Sequence, residues 1–173
     1  DFLAYFLITV AIVFILVYVA PRVPGLNEFR RVPCLEAIDE VIKSAAERGR
    51  PLLYTGTYLN PKEHRGTSLI PCANAISKYV ATQCANLDIP LFATAGNAEY
   101  FMIMEDHIRQ GYLISNHPER FQPRNLFYIA HSQTATYFNS ELITANNVGS
   151  YVGMGWLGGG SVCMVYESCK RVG

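Results

Sequence analysis

The 173-residue chain has no excess of either charge: 14 Lys and Arg stand against 14 Asp and Glu, and the net charge is zero. Without a basic field there is nothing to hold a phosphate backbone, so nucleic-acid binding is excluded. The chain also lacks C-x-x-C pairs. Its five cysteines (Cys34, Cys72, Cys84, Cys163, Cys169) are odd in number and irregularly spaced. That pattern predicts reduced, mostly buried thiols in a reducing compartment rather than a disulfide framework. The four histidines (His64, His107, His117, His131) and the cysteines show no i, i+3 or i, i+4 ligand spacing, so no metal site is expected. There is no G-x-S-x-G elbow. His131 beside Ser132 makes no nucleophile–base pair, because sequence neighbours seldom face one another, and Glu105-Asp106 reads as a solvated helix face. No catalytic residue is assigned and no cofactor is named.

One further absence is the most informative. From Phe2 to Ala20 there is no charge, no Gly and no Pro. A charge-free apolar run of 18 residues or more predicts a membrane-spanning helix, since about 20 helical residues cross a hydrocarbon core of roughly 30 Å. A signal peptide fits less well: the run exceeds the usual 7–15 residue apolar region, no basic segment precedes it, and Pro21–Gly25 offers no small-x-small cleavage site. A soluble core helix fits less well too, because no polar stripe runs along it. A filament subunit of the pilin type also begins with such a helix, although Tyr5 stands where bacterial pilins carry an acidic residue. Arg22, Arg30 and Arg31 follow the run and Asp1 precedes it, which orients the remainder toward the cytoplasm.

The expected organisation is a transmembrane helix over 1–21, a linker over 22–33 and one α/β domain over 34–173. Leu35, Ile38, Val41, Ile42 and Ala45 recur at helical spacing, and Gly49 ends that helix. Strands are read within 51–58, 89–95, 125–130 and 150–154. Helices are read over about 67–86, 98–114, 132–145 and 161–172, with Ser132 or Thr134 capping the third of these. The strands are short continuous apolar runs alternating with helices. Such strands are buried on both faces, so a mostly parallel sheet between helix layers is predicted: a three-layer, Rossmann-like domain. The last helix ends where another strand would normally follow, which suggests an incomplete C-terminus.

In such sheets ligands sit outside the carboxyl ends of the strands. Those ends are small and polar here. Thr55, Gly56, Gly96, Asn97 and Ser132 are therefore candidate ligand-binding residues, with Asn97 and Ser132 as plain helix N-caps the competing reading. Gly153-Met-Gly-Trp-Leu-Gly158 also matches G-x-G-x-x-G, which makes Gly153, Gly155 and Gly158 a weaker cofactor-binding candidate. No acidic residue lies about 20 positions on, and Trp156 crowds the place of a phosphate. The alternative is a turn that permits close packing.

Two segments carry a resemblance: Glu36-Ala-Ile-Asp39-Glu40 and Gly49-Arg-Pro-Leu-Leu-Tyr-Thr55-Gly56. In this order, after a membrane helix, they resemble a family of uncharacterised prokaryotic single-pass membrane proteins with a Rossmann-like domain of unknown function. The resemblance spans residues 26–172, implies no activity, and implies further strands beyond the last residue here. Three functions are thus expected in order. The first is a membrane-anchored non-catalytic module that assembles with copies of itself or within a membrane complex. The second is a tethered domain that binds or transforms a small nucleotide-like or anionic ligand. The third is a filament subunit bundled through its first helix.

Overall fold

A computed structural model of the chain describes residues 2–19, 22, 33–56, 64–154 and 159–172. It divides into two units, Asp1–Cys34 and Leu35–Gly173. In the first, α1 (Phe2–Val19) has 18 residues and a mean hydropathy of 2.8, and none of it is buried. Its length of about 27 Å, at 1.5 Å per residue, makes it long and apolar enough to cross a membrane. Beyond its end, the Arg22 guanidinium lies 3.6 Å from the Tyr18 ring centroid and donates to the Tyr18 carbonyl at 2.9 Å. A cation on an aromatic ring at a helix C-terminus satisfies a free carbonyl and is the side-chain pairing found where apolar helices meet a polar boundary.

The second unit runs α2 (Pro33–Glu47), β1 (Leu52–Thr55), α3 (His64–Asn86), β2 (Leu91–Ala95), α4 (Ala98–Ile114), β3 (Leu126–Tyr128), α5 (Ser132–Ala145), β4 (Ser150–Gly153) and α6 (Gly159–Val172). The four strands form one parallel sheet in the order β3-β2-β1-β4. Side chains alternate across β1. Leu52 and Tyr54 enter a core with Ile38 and Ile42 of α2, Val80 of α3, and Met104 and Ile108 of α4. Leu53 enters a separate core with Leu142 and Ile143 of α5 and Val165 of α6. Two cores on opposite faces make the three-layer α/β architecture, and the continuous apolar run of β1 follows from burial on both sides.

Local chemistry sets the helix ends. Gly49 has φ +62°, its N–H reaches Ala46 O and the Arg50 N–H reaches Ala45 O, both at 3.0 Å, so α2 closes in a left-handed glycine cap. Asn97 Oδ1 accepts from Tyr100 N at 3.0 Å and caps α4.

The fold departs from the expected pattern at four places. The cap of α5 is His131, with no side-chain hydrogen bond; Ser132 is the first helical residue, and the Ala135 N–H bonds the His131 carbonyl at 2.8 Å. Helix α3 begins at His64, inside a stretch whose polar, Gly-containing composition reads as loop, and it carries Pro71 internally. Two single turns of 3-10 helix, Pro118–Arg120 and Pro123–Asn125, shape the approach to β3 and shorten that strand to three residues. Finally, β3 and β4 are edge strands with partly exposed residues, so only the inner strands carry full two-sided burial.

Candidate functional site at the carboxyl ends of β1 and β4

The strand order places a reversal at β1. The chain goes β1, β2, β3 outward in one direction, then returns to the other side of β1 to form β4. After β1 comes α3, whose core residues lie on one face of the sheet; after β4 comes α6, whose core residues lie on the other. Neighbouring parallel strands whose connections part to opposite faces leave a crevice at their carboxyl ends, the usual ligand position in open α/β sheets.

On the α5/α6 face, register lines up Phe127, Thr94, Thr55 and Gly153 as one cross-strand row. Phe127 meets Phe138 of α5, with ring centroids 5.0 Å apart. The two threonines are fully buried, with their hydroxyl oxygens 3.0 Å apart. Asn139, from the middle of α5 and 1% exposed, donates from Nδ2 to Thr55 Oγ1 at 3.2 Å. Its Oδ1 is buried and accepts no hydrogen bond among the described residues. The row ends at Gly153, which has no side chain and is exposed. The row therefore runs from two buried threonines to one exposed glycine. A buried carbonyl such as Asn139 Oδ1 is expensive to keep unpaired, about 1–3 kcal/mol.

On the α3/α4 face, the Tyr54 hydroxyl donates to Ala73 O at 2.8 Å and lies 3.5 Å from the Tyr100 hydroxyl. Tyr100 covers Gly56: a Cβ built there would stand 2.7 Å from the Tyr100 hydroxyl oxygen. Burial, then the neighbouring Tyr100, raises the Tyr54 pKa far above its ordinary value, so this phenol stays protonated and serves as a donor. Asn74, 7% exposed, has a second buried Oδ1 that accepts no bond among the described residues.

The candidates read from the sequence thus fall at different distances from the crevice. Thr55 and Gly56 end β1, and the Gly56 N–H bonds Thr94 O at 2.8 Å. Gly153 is paired with Thr55 in register. Gly96 and Asn97 follow β2 and are half-exposed, with the Asn97 side chain occupied as a cap. Ser132 begins α5, after β3, on the far side of β2. Gly155 and Gly158 lie outside the described residues, although the strand before them and the helix after them are present. Asn139, Tyr100 and Asn74 were not read as candidates. Asn139 had a signal: it shares helical spacing with Ala135, Leu142 and Ile143, so a polar residue sits on the buried face.

Among the described residues, the polar groups at these strand ends are neutral. Thr55, Thr94, Asn139, Tyr54, Tyr100 and Asn74 are hydrogen-bonding groups without charge at neutral pH. No group of three or more His, Cys, Asp or Glu able to hold a metal ion occurs among the described residues. Hollows elsewhere have other surroundings. One of about 210 Å³ lies at the amino edge of the sheet, beside Pro90, Leu91 and Leu126, where Arg120 reaches Asp88 at 3.3 Å. A wider groove of about 780 Å³ runs along α5 and α6, past Tyr137, Glu141, Cys163 and Arg171.

No curated protein and no solved structure matches the chain. A family match does extend from α1 to β4 and takes in Thr55, Gly56, Gly96, Asn97, Ser132 and Asn139, with Gly153 just beyond it. Over residues 1–152 the chain belongs to DUF6754, a family described as a domain of unknown function.

Proposed function

We propose that the protein is a membrane-anchored, non-catalytic α/β domain that holds a small polar ligand between the carboxyl ends of β1 and β4. One observation carries this reading. Gly153 is exposed while its register partner, Thr55, is fully buried and bonded by Asn139, whose carbonyl has no donor among the described residues. Neutral hydrogen-bonding groups suit recognition; they do not supply an acid–base pair for bond cleavage. Anchoring rests on α1. A cytoplasmic position for the domain is part of the same proposal, from Arg22, Arg30 and Arg31 after the helix.

Two measurements test it. The full chain should stay in the membrane fraction through an alkaline carbonate wash; release would remove the anchor. In mild detergent, small polar compounds should raise the unfolding temperature of the full chain, and Gly153→Val should abolish that rise. Stabilisation that survives the valine places the ligand elsewhere.

A second reading, self-assembly, is favoured by a different surface. Tyr137 and Tyr166 are 65% and 64% exposed on α5 and α6, and α1 is apolar on every side. Homo-oligomers, subunits of a membrane complex or a bundled filament would each cover such surface. A single-copy mass in mild detergent would count against it.

A further inference from the structure

Helices α5 and α6 lie side by side on one face of the sheet. The Ser168 hydroxyl donates to Ser140 Oγ at 2.9 Å, and the Ser140 hydroxyl reaches Met164 O at 3.5 Å. Their outer sides leave the groove of about 780 Å³, with Tyr137 and Glu141 on one wall and Met164, Glu167 and Arg171 on the other. Glu141, Glu167 and Arg171 are exposed, and none of them forms an ion pair among the described residues. Glu167 and Arg171 are one helical turn apart, so they project from the same side of α6.

A negative charge followed by a positive one along a helix is complementary to its own reverse. A two-fold axis crossing α6 between the two residues sets the Arg171 of each copy against the Glu167 of the other. Glu141, on the opposite wall of the groove, adds a carboxylate to the surface that the incoming Arg171 meets. A partner of one charge fits this surface less well. A strongly acidic one meets Glu141 and Glu167, and a strongly basic one meets Arg171. Tyr137, 65% exposed, supplies the aromatic surface that interfaces use.

Resting on the self-assembly reading above, we infer that the α5/α6 groove is covered by the same groove of a second copy, in a two-fold dimer aligned by reciprocal Arg171–Glu167 ion pairs. The apolar and aromatic groups supply the attraction. The charges fix the direction of contact, since exposed ion pairs contribute little by themselves.

The test is the mass of the full chain in mild detergent, followed with protein concentration, for the wild type, Glu167→Arg, Arg171→Glu and the two combined. The wild type should carry two copies. Each single variant sets like charges against one another across the axis and should raise the dimer dissociation constant about tenfold or more. The combined variant reverses both signs and should recover the wild-type dimer. The two single variants, mixed, should pair with each other, because every contact across the axis is then between opposite signs. Misfolding would produce neither recovery. A wild type of single copies overturns this inference and the self-assembly reading together. A wild-type dimer that neither single variant weakens overturns the paired groove and leaves self-assembly through another surface. So do single variants that dissociate and are recovered neither by combination nor by mixing.

Discussion

Asn139 Nδ2 donates to Thr55 Oγ1 across 3.2 Å and ties the middle of α5 to the last residue of β1. Both residues are essentially inaccessible to solvent. Removing the Thr55 hydroxyl leaves both Asn139 Nδ2 and the buried Thr94 hydroxyl without this partner. Thr55→Val should therefore destabilise the domain by about 1–3 kcal/mol. Thr55→Val combined with Asn139→Leu should cost less than the sum of the two single changes, since the Asn139 amide is then no longer left without its threonine partner. Denaturant unfolding of the three variants measures this. Strict additivity would mean that the two side chains do not act together.

Gly111 governs the packing of α3 against α4. A Cβ built there would lie 2.7 Å from Lys78 O, 2.8 Å from Ala81 Cβ and 3.1 Å from Thr82 N, two of which are backbone atoms that cannot swing aside. Close approach also lets the Ser115 hydroxyl reach Thr82 O at 3.1 Å. In an isolated helix Gly→Ala is favourable by about 1 kcal/mol. Here the helices would have to separate, and Gly111→Ala should lower stability by about 1–3 kcal/mol. A stabilised alanine variant would show that the two helices are not in contact at this residue.

Local signals were legible where one segment decides its own structure. The bounds of α4, its Asn97 cap and the glycine end of α2 follow from spacing and capping chemistry alone. The apolar run of β1 announced a strand buried on both faces. What could not be read depends on contacts far apart in the chain. Nothing near Gly153 indicates that β4 returns to the free side of β1, yet that pairing sets Gly153 beside Thr55. Neither Ser132 nor Thr134 is the cap of α5: His131 holds that position without a side-chain hydrogen bond, so capping chemistry gave no sign of it. Asn139 was passed over as one polar residue in an otherwise apolar helix face; its meaning lies in a threonine 84 positions away.

The thiols should divide by burial. Cys72 and Cys163 are exposed, whereas Cys84 is fully buried and burial pushes its pKa up to about 12. Iodoacetamide at pH 8 should modify Cys72 and Cys163 in the folded protein and spare Cys84 until it unfolds. Equal rates would contradict the placement of α3.

The same burial gives the domain an alkaline limit. Below the ordinary thiol value of 9.0, Cys84 is protonated in both folded and unfolded chains, and its contribution is fully present. Above it the unfolded chain loses the proton first, so stability falls as pH rises from 9.0 toward about 12. Tyr54 and Tyr112, both raised by burial from 10.0, add to the fall from that pH upward. Unfolding temperature followed from pH 7 to 11 should be level and then decline beyond pH 9. A rise over that range would mean these groups are not buried.

The crevice between β1 and β4 is tested most directly by comparing two glycines. Gly153 ends β4 beside Thr55, and Gly96 follows β2 on the other side of β1. Thermal stabilisation by small polar compounds is measured on Gly153→Val and Gly96→Val in the full chain. The account predicts loss of stabilisation in Gly153→Val and its retention in Gly96→Val. Retention in Gly153→Val with loss in Gly96→Val would contradict it and move the site to the end of β2.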